Sequence, residues 1–155
     1  MNGSKLIGVA LAAALAAGGA VAVTANGQGG GSSTIGLTAK ATGGTALDLG
    51  RKGVSAGDEF LERGVLTDAA GHPAGRFQMV TQLVGGNARH GSEQTSMTLY
   101  LANGEIEVIG GHATASRFVM PVVGGTGEHA GARGTLTVAP GSGENEQLTL
   151  TLEAP

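Results

Sequence analysis

The chain has 155 residues, with 9 Lys and Arg against 12 Asp and Glu for a formal charge of −3. It carries 30 Gly, no Cys, no Trp, three Phe and one Tyr. These figures fit one domain and exclude disulfides, thiolate nucleophiles and Cys-based zinc sites. Basic residues scattered singly, apart from Arg51-Lys52, leave no phosphate-tracking stripe for nucleic acid.

Residues 1–25 read as an export signal. Lys5 and the terminal amine give a positive start, and Leu6 to Val23 form an uncharged Ala/Gly/Val/Leu run. Val23-Thr24-Ala25 then offers small residues at the cleavage positions, so cleavage is expected after Ala25, with Ala20-Val21-Ala22 a second candidate. A retained signal anchor is the alternative, because the run approaches bilayer-spanning length. Cleavage places the protein outside the cytoplasm, secreted or extracytoplasmic, with no stable membrane association afterwards. Residues 26–33, rich in Gly and Ser, read as a flexible tether. The folded domain is expected over 34–155.

From there short strands alternate with Gly, Asn and Pro. The first strand is expected over Thr34–Thr42 and the second over Asp58–Thr67, followed by a turn through Gly71-His72-Pro73. The third, Gly75–Val84, alternates cleanly, with Phe77, Met79, Thr81 and Leu83 on one face. Glu93–Ala102 and Glu105–Gly110 are joined by Asn103-Gly104, a strong hairpin signal. His112–Val123 is the expected sixth strand, Gly134–Ala139 the seventh and Glu146–Glu153 the eighth. Eight strands with hairpin-length links predict an all-β meander, closed as an eight-stranded antiparallel β-barrel to remove its edges. A two-sheet sandwich is the runner-up.

The stretch Val122-Val123-Gly124-Gly125-Thr126-Gly127-Glu128-His129-Ala130-Gly131-Ala132-Arg133-Gly134 resembles the superfamily of plant dirigent proteins and allene oxide cyclases, including its bacterial barrel-like members. Gly57-Asp58 leading to Leu66-Thr67-Asp68 matches in order, as does Thr98-Leu99-Tyr100-Leu101 leading to Ile106-Glu107-Val108-Ile109-Gly110. The matches span roughly residues 35–153. As a barrel corner the motif makes sense: Gly124, Gly125, Gly127, Gly131 and Gly134 permit positive φ and close strand approach around Thr126, while Arg133 can tie the loop to carbonyls or a carboxylate. Gly125, Gly127 and Ala130 also fit a dinucleotide-binding spacing, but no helix or βαβ unit follows, so no nucleotide site is read there.

The resemblance implies a barrel-interior site that holds a small hydrophobic or phenolic molecule and steers its cyclisation or coupling. It also implies a homotrimer. Relatives often place Asp or Asn where this chain has Gly64-Val65, and the cyclases carry a third-strand Cys near Thr81. A displaced site is the reading that follows. If Gly64 points inward, Glu62 does too, with Tyr100 and Arg117 as partners and Phe60, Phe77, Met79, Thr81 and Phe118 as lining. The alternatives are a solvent-facing Glu62 and an outward Tyr100 in a subunit contact, on a non-catalytic interaction barrel. His72, His90, His112 and His129 fall in expected turns or strand starts without metal-ligand spacing, so they read as surface histidines. No metal and no cofactor is implied.

Overall fold

A computed structural model describes residues 32–87 and 89–153. The expected leader, 1–25, lies outside the described residues, as does most of the 26–33 segment. Eight strands form a closed antiparallel barrel in chain order: β1 (Ser33–Leu47), β2 (Glu59–Thr67), β3 (Pro73–Gly86), β4 (Gly91–Leu101), β5 (Gly104–Ala113), β6 (Phe118–Gly125), β7 (Gly134–Pro140) and β8 (Glu146–Leu152). β8 returns to β1, pairing Leu148 with Leu37 and Leu150 with Ile35, so no edge is left open. Among the described residues no helix is long and apolar enough to cross a membrane.

The alternation of each strand sets its inner face. Leu99, Ile106, Val108, Met120, Leu136 and Leu150 are fully buried and build the core without a tryptophan. Each such side chain contributes about 1.5–3 kcal/mol by leaving water. Closure tilts the strands. The row of partners leaving β1 at Gly44 passes Glu62, Met79, Met97 and Val108 and comes back to β1 at Ser33.

Three boundaries differ by more than two residues from the sequence reading. β1 runs past Thr42 to Leu47, because a bulge between Ala41 and Gly43 resets its register against β2. The fifth strand does not stop at Gly110, and the sixth begins at Phe118 rather than His112. Gly110 and Gly111 are strand residues, not a turn. A side chain at Gly110 would lie 2.9 Å from the Pro121 ring and 3.2 Å from Met120, so glycine here admits the neighbouring strand. The turn is at residues 114–117, and Arg117 lies in that link, not on a strand.

The glycine-rich segment makes the corner between β6 and β7, with one 3₁₀ turn at Gly127–His129. Gly127, Gly131 and Gly134 have φ of 60°, 76° and 140°. Arg133 Nη1 donates to the carbonyls of Val123 (2.9 Å) and Ala132 (2.8 Å), the tie expected of it. At the other end, the long link between β1 and β2 is pinned by Asp58. Its carboxylate accepts from the backbone N–H groups of Ser55 (2.8 Å), Leu49 (2.9 Å) and Gly50 (3.0 Å). Those bonds, the one from Ser55 foremost, hold its carboxyl below the usual range. Gly57 N–H donates to the Leu83 carbonyl of β3 and Leu83 N–H to the Asp58 carbonyl, so this link is held at the barrel rim.

Candidate functional site

Because neighbouring strands run in opposite directions, the C-terminal ends of β1, β3, β5 and β7 and the N-terminal ends of β2, β4, β6 and β8 surround one mouth. Inner positions at that mouth follow from the register. Gly44 faces Glu62, which faces Met79, and Phe60 faces Thr81, which faces Thr95. Glu93 faces His112 across β4 and β5, and Glu146 faces Ala39 across β8 and β1. Cross-strand partners share a face, so all of these point into the barrel.

The mouth is open and the depth is closed. Ala41 and Gly44 are exposed despite facing inward, and Phe60, Glu62, Met79, Phe118 and Glu146 are half-buried. One layer down, Phe77, Met97, Met120 and Leu148 are buried together. The arrangement is a cup with an apolar floor, not a tube open along its length.

Two polar groups line the cup. On one wall, Glu62 and Glu146 project from the two neighbours of β1. Burial pushes the Glu62 carboxyl above the usual carboxylate range. Glu146 is pushed up by burial and further by the charge of Glu62. Among the described residues neither has a salt-bridge partner. Arg63, next in sequence to Glu62, faces outward against Gly43.

On the opposite wall a hydrogen-bonded chain crosses three strands. Thr81 Oγ1 lies 2.9 Å from Thr95 Oγ1, which lies 2.9 Å from His112 Nε2. His112 Nδ1 lies 3.0 Å from the Ala113 carbonyl oxygen and 3.6 Å from Glu93 Oε2. The Glu93 carboxylate in turn accepts from the Thr114 hydroxyl at 3.2 Å. The imidazole stacks on Phe118, ring centres 3.8 Å apart and planes 7° from parallel. Only 6% of the His112 side chain is exposed, which corrects its reading as a surface histidine. It is a strand residue on the inner face because β5 continues through the two glycines.

Of the residues singled out from sequence, Glu62, Phe60, Phe77, Met79, Thr81 and Phe118 all face inward. Tyr100 does not join them. It faces outward near the other end of the barrel, with the Arg76 guanidinium 4.3 Å over its ring. Arg117 is exposed in the link after β5 and makes no ion pair with Glu62. The glycine-rich motif also lies at the far end, between β6 and β7. Glu146, His112, Thr95 and Glu93 were missed. The signal for Glu146 was parity: it sits two residues before Leu148 on the core face of the same strand. Among the described residues no three metal-ligating side chains converge.

No family model matches the sequence, and no curated protein matches it. Solved structures do. Pyocyanin demethylase superposes with a TM-score of 0.71 at 26% identity, over 77% of this chain and 98% of its own. An exo-specific intermolecular Diels-Alderase, AbnU, gives 0.65 at 13% identity, over 81% and 100%. The pterocarpan synthase dirigent protein PsPTS1 gives 0.59 at 14% identity, over 79% and 92%.

Proposed function

We propose that this chain, a member of the dirigent and allene oxide cyclase-like barrel superfamily, is an exported barrel that binds a small aromatic or phenolic molecule in its mouth and steers that molecule's cyclisation or coupling. One observation carries the reading. Two acids that have no salt-bridge partner among the described residues, and an imidazole paired with a third acid, Glu93, are turned into the open end of a barrel whose deeper interior is hydrocarbon. A barrel whose interior served stability alone would place these groups outside, since each costs free energy to desolvate. The apolar floor and the Phe118 and Phe60 rings supply contact area and hold orientation. Glu62 and Glu146, with raised proton affinity, supply acid and base at one edge of the ligand. Solved neighbours whose names are pyocyanin demethylase, Diels-Alderase and pterocarpan synthase dirigent protein are consistent with this division of labour.

Native mass spectrometry of the purified protein, before and after incubation with a panel of small phenols and planar aromatics, tests the proposal. Retention of at least one panel member is expected. Glu62→Gln should weaken it about tenfold, the scale of one charge-assisted hydrogen bond, while Tyr100→Phe leaves it unchanged. A barrel that retains nothing would sink the reading and leave the non-catalytic interaction barrel.

A second observation favours an oligomer. On the outer face Thr45, Leu61, Val80, Ser96 and Ile109 form one cross-strand row. Leu61, Val80 and Ile109 in it are 39%, 41% and 41% exposed. A groove of about 360 Å³ lined by Thr45, Leu61, Gln78, Val80, Ser96 and Thr98 lies along it. A homotrimer through this face would cover the row. Val80→Glu is then expected to shift the native mass to that of one chain, and an unchanged mass in both proteins would remove this reading.

A further inference from the structure

The direction of the hydrogen bonds around His112 is fixed by chemistry. Nδ1 faces only acceptors, the Ala113 carbonyl oxygen and the Glu93 carboxylate, so it carries the proton in the neutral ring. Nε2 is then a bare acceptor, and the hydroxyl 2.9 Å from it, Thr95, must donate. With its proton committed, Thr95 Oγ1 accepts from Thr81. Every proton in the chain therefore points from the barrel interior towards the rim, and Thr81 Oγ1, on the inner face opposite Phe60, is left with lone pairs to accept. Thr95 is wholly buried and Thr81 nearly so, which keeps water from intervening between them.

We propose that Thr81, Thr95 and His112 form a proton path from the inner wall to the rim, and that the mouth takes a ligand with an acidic hydroxyl, a phenol or enol, held against Thr81 Oγ1. The inference rests on the binding function proposed above and names its ligand class. The step balances without an oxidant or metal. The ligand's O–H bond breaks and its electron pair stays on oxygen. Its proton passes to Thr81 as the proton of Thr81 passes to Thr95 and that of Thr95 to Nε2. Phenol and imidazole become phenolate and imidazolium. The hydrogen bonds between Nε2, Thr95, Thr81 and the ligand then reverse, and the Thr81 hydroxyl donates to the new oxyanion. Thr81 contacts the ligand, whereas Thr95 and His112 act through it.

Charged and aromatic groups surround the His112 ring. Glu93 from β4 stands 3.6 Å from Nδ1, held there by Thr114, and Phe118 from β6 offers its ring face to a cation. Glu62 from β2 and Glu146 from β8 share the mouth, and Arg117 follows in the exposed link. A base oriented by an acid, with a hydroxyl on its free nitrogen, is the arrangement that activates a hydroxyl group elsewhere. Here the hydroxyl reached is the ligand's.

The test uses the ¹⁵N-labelled protein and 4-nitrophenol, whose phenolate absorbs in the visible. In wild type the neutral His112 ring should give the Nδ1–H tautomer pattern, retained in Thr95→Ser and lost in Thr95→Val. Below the pKa of the free phenol, bound 4-nitrophenol should be ionised about tenfold more than free in wild type and Thr95→Ser. That excess should vanish in Thr95→Val and in Thr81→Val, while Thr81→Val keeps the His112 tautomer. An Nε2–H tautomer in wild type, or equal ionisation of bound phenol in wild type and Thr95→Val, would overturn the path and leave binding intact. Retention of aromatic ethers but not of 4-nitrophenol would overturn the ligand class. Retention of no aromatic at all would instead bring down the proposed function.

Discussion

Gly64→Asp, which writes an acid into the stretch that the family resemblance aligns with an Asp or Asn, is expected to unfold the barrel rather than to furnish a site. Gly64 faces inward opposite Phe77, and it is buried. A Cβ there would strike the Lys40 carbonyl oxygen and come within 2.5 Å of Phe77 Cε1. The ring cannot swing away, since Phe77 is itself 3% exposed and packed in the main core. Overpacking of this kind costs about 1–3 kcal/mol, and an unpaired carboxyl forced into the same layer adds several more. The total approaches the whole stability of a small domain, about 5–15 kcal/mol. Urea denaturation should show no folded baseline for Gly64→Asp, and Gly64→Ala should lose about 1–3 kcal/mol. A cooperative Gly64→Asp transition near the wild-type midpoint would mean that β2 can move away from Phe77.

This substitution also marks what the sequence could reveal. The pairing of acid and strand face was readable: Glu62 shares parity with Gly64, and the clean alternation of Phe77, Met79 and Thr81 named the inner face of β3. The Asn103-Gly104 hairpin, the glycine-rich corner and the number of strands followed from local chemistry alone, because turns and alternation are local properties. What was hidden depended on register. Glycine reads as a turn unless a neighbour is known to press against it, so Gly110-Gly111 concealed the continuation of β5 and with it the inward His112. Glu146 stands at the very start of β8, where parity gives a face but not a partner. Only barrel closure brings β8 beside β1 and so sets Glu146 near Glu62. Tyr100 is the lone phenol of the chain, and the parity of Leu99 and Leu101 on the core face sets it outside.

The largest effect on pH dependence is expected from replacing both acids, Glu62→Gln with Glu146→Gln. In the folded protein burial raises both carboxyls above the ordinary 4.5, and the charge of Glu62 raises Glu146 further. Above that value an unfolded chain has already released these protons while the folded barrel still holds them. The native state then binds more protons than the unfolded one, so stability falls as pH rises through this window, and the loss is complete above the folded values. Asp58 and Asp68 act in the opposite sense at lower pH. Their carboxyls are held below 3.8, by the Ser55 and His72 backbone N–H groups foremost, and their contribution is lost as pH falls through the lowered values. Wild type should therefore be most stable in weakly acidic solution. The double variant should keep the acid limb, lose the decline towards neutral pH, and gain on the order of 1 kcal/mol at pH 7, the usual scale on relieving a functional site. The two single variants should not add, because removing either charge lifts the repulsion on the other. Thermal melts across the pH range, with binding measured on the same samples, separate the outcomes. A variant that is stabilised at neutral pH and has lost its ligand shows two acids kept in the mouth at a cost to the fold. Equal declines in wild type and double variant would show that water reaches both carboxylates freely, and the acid–base role assigned to them would fall.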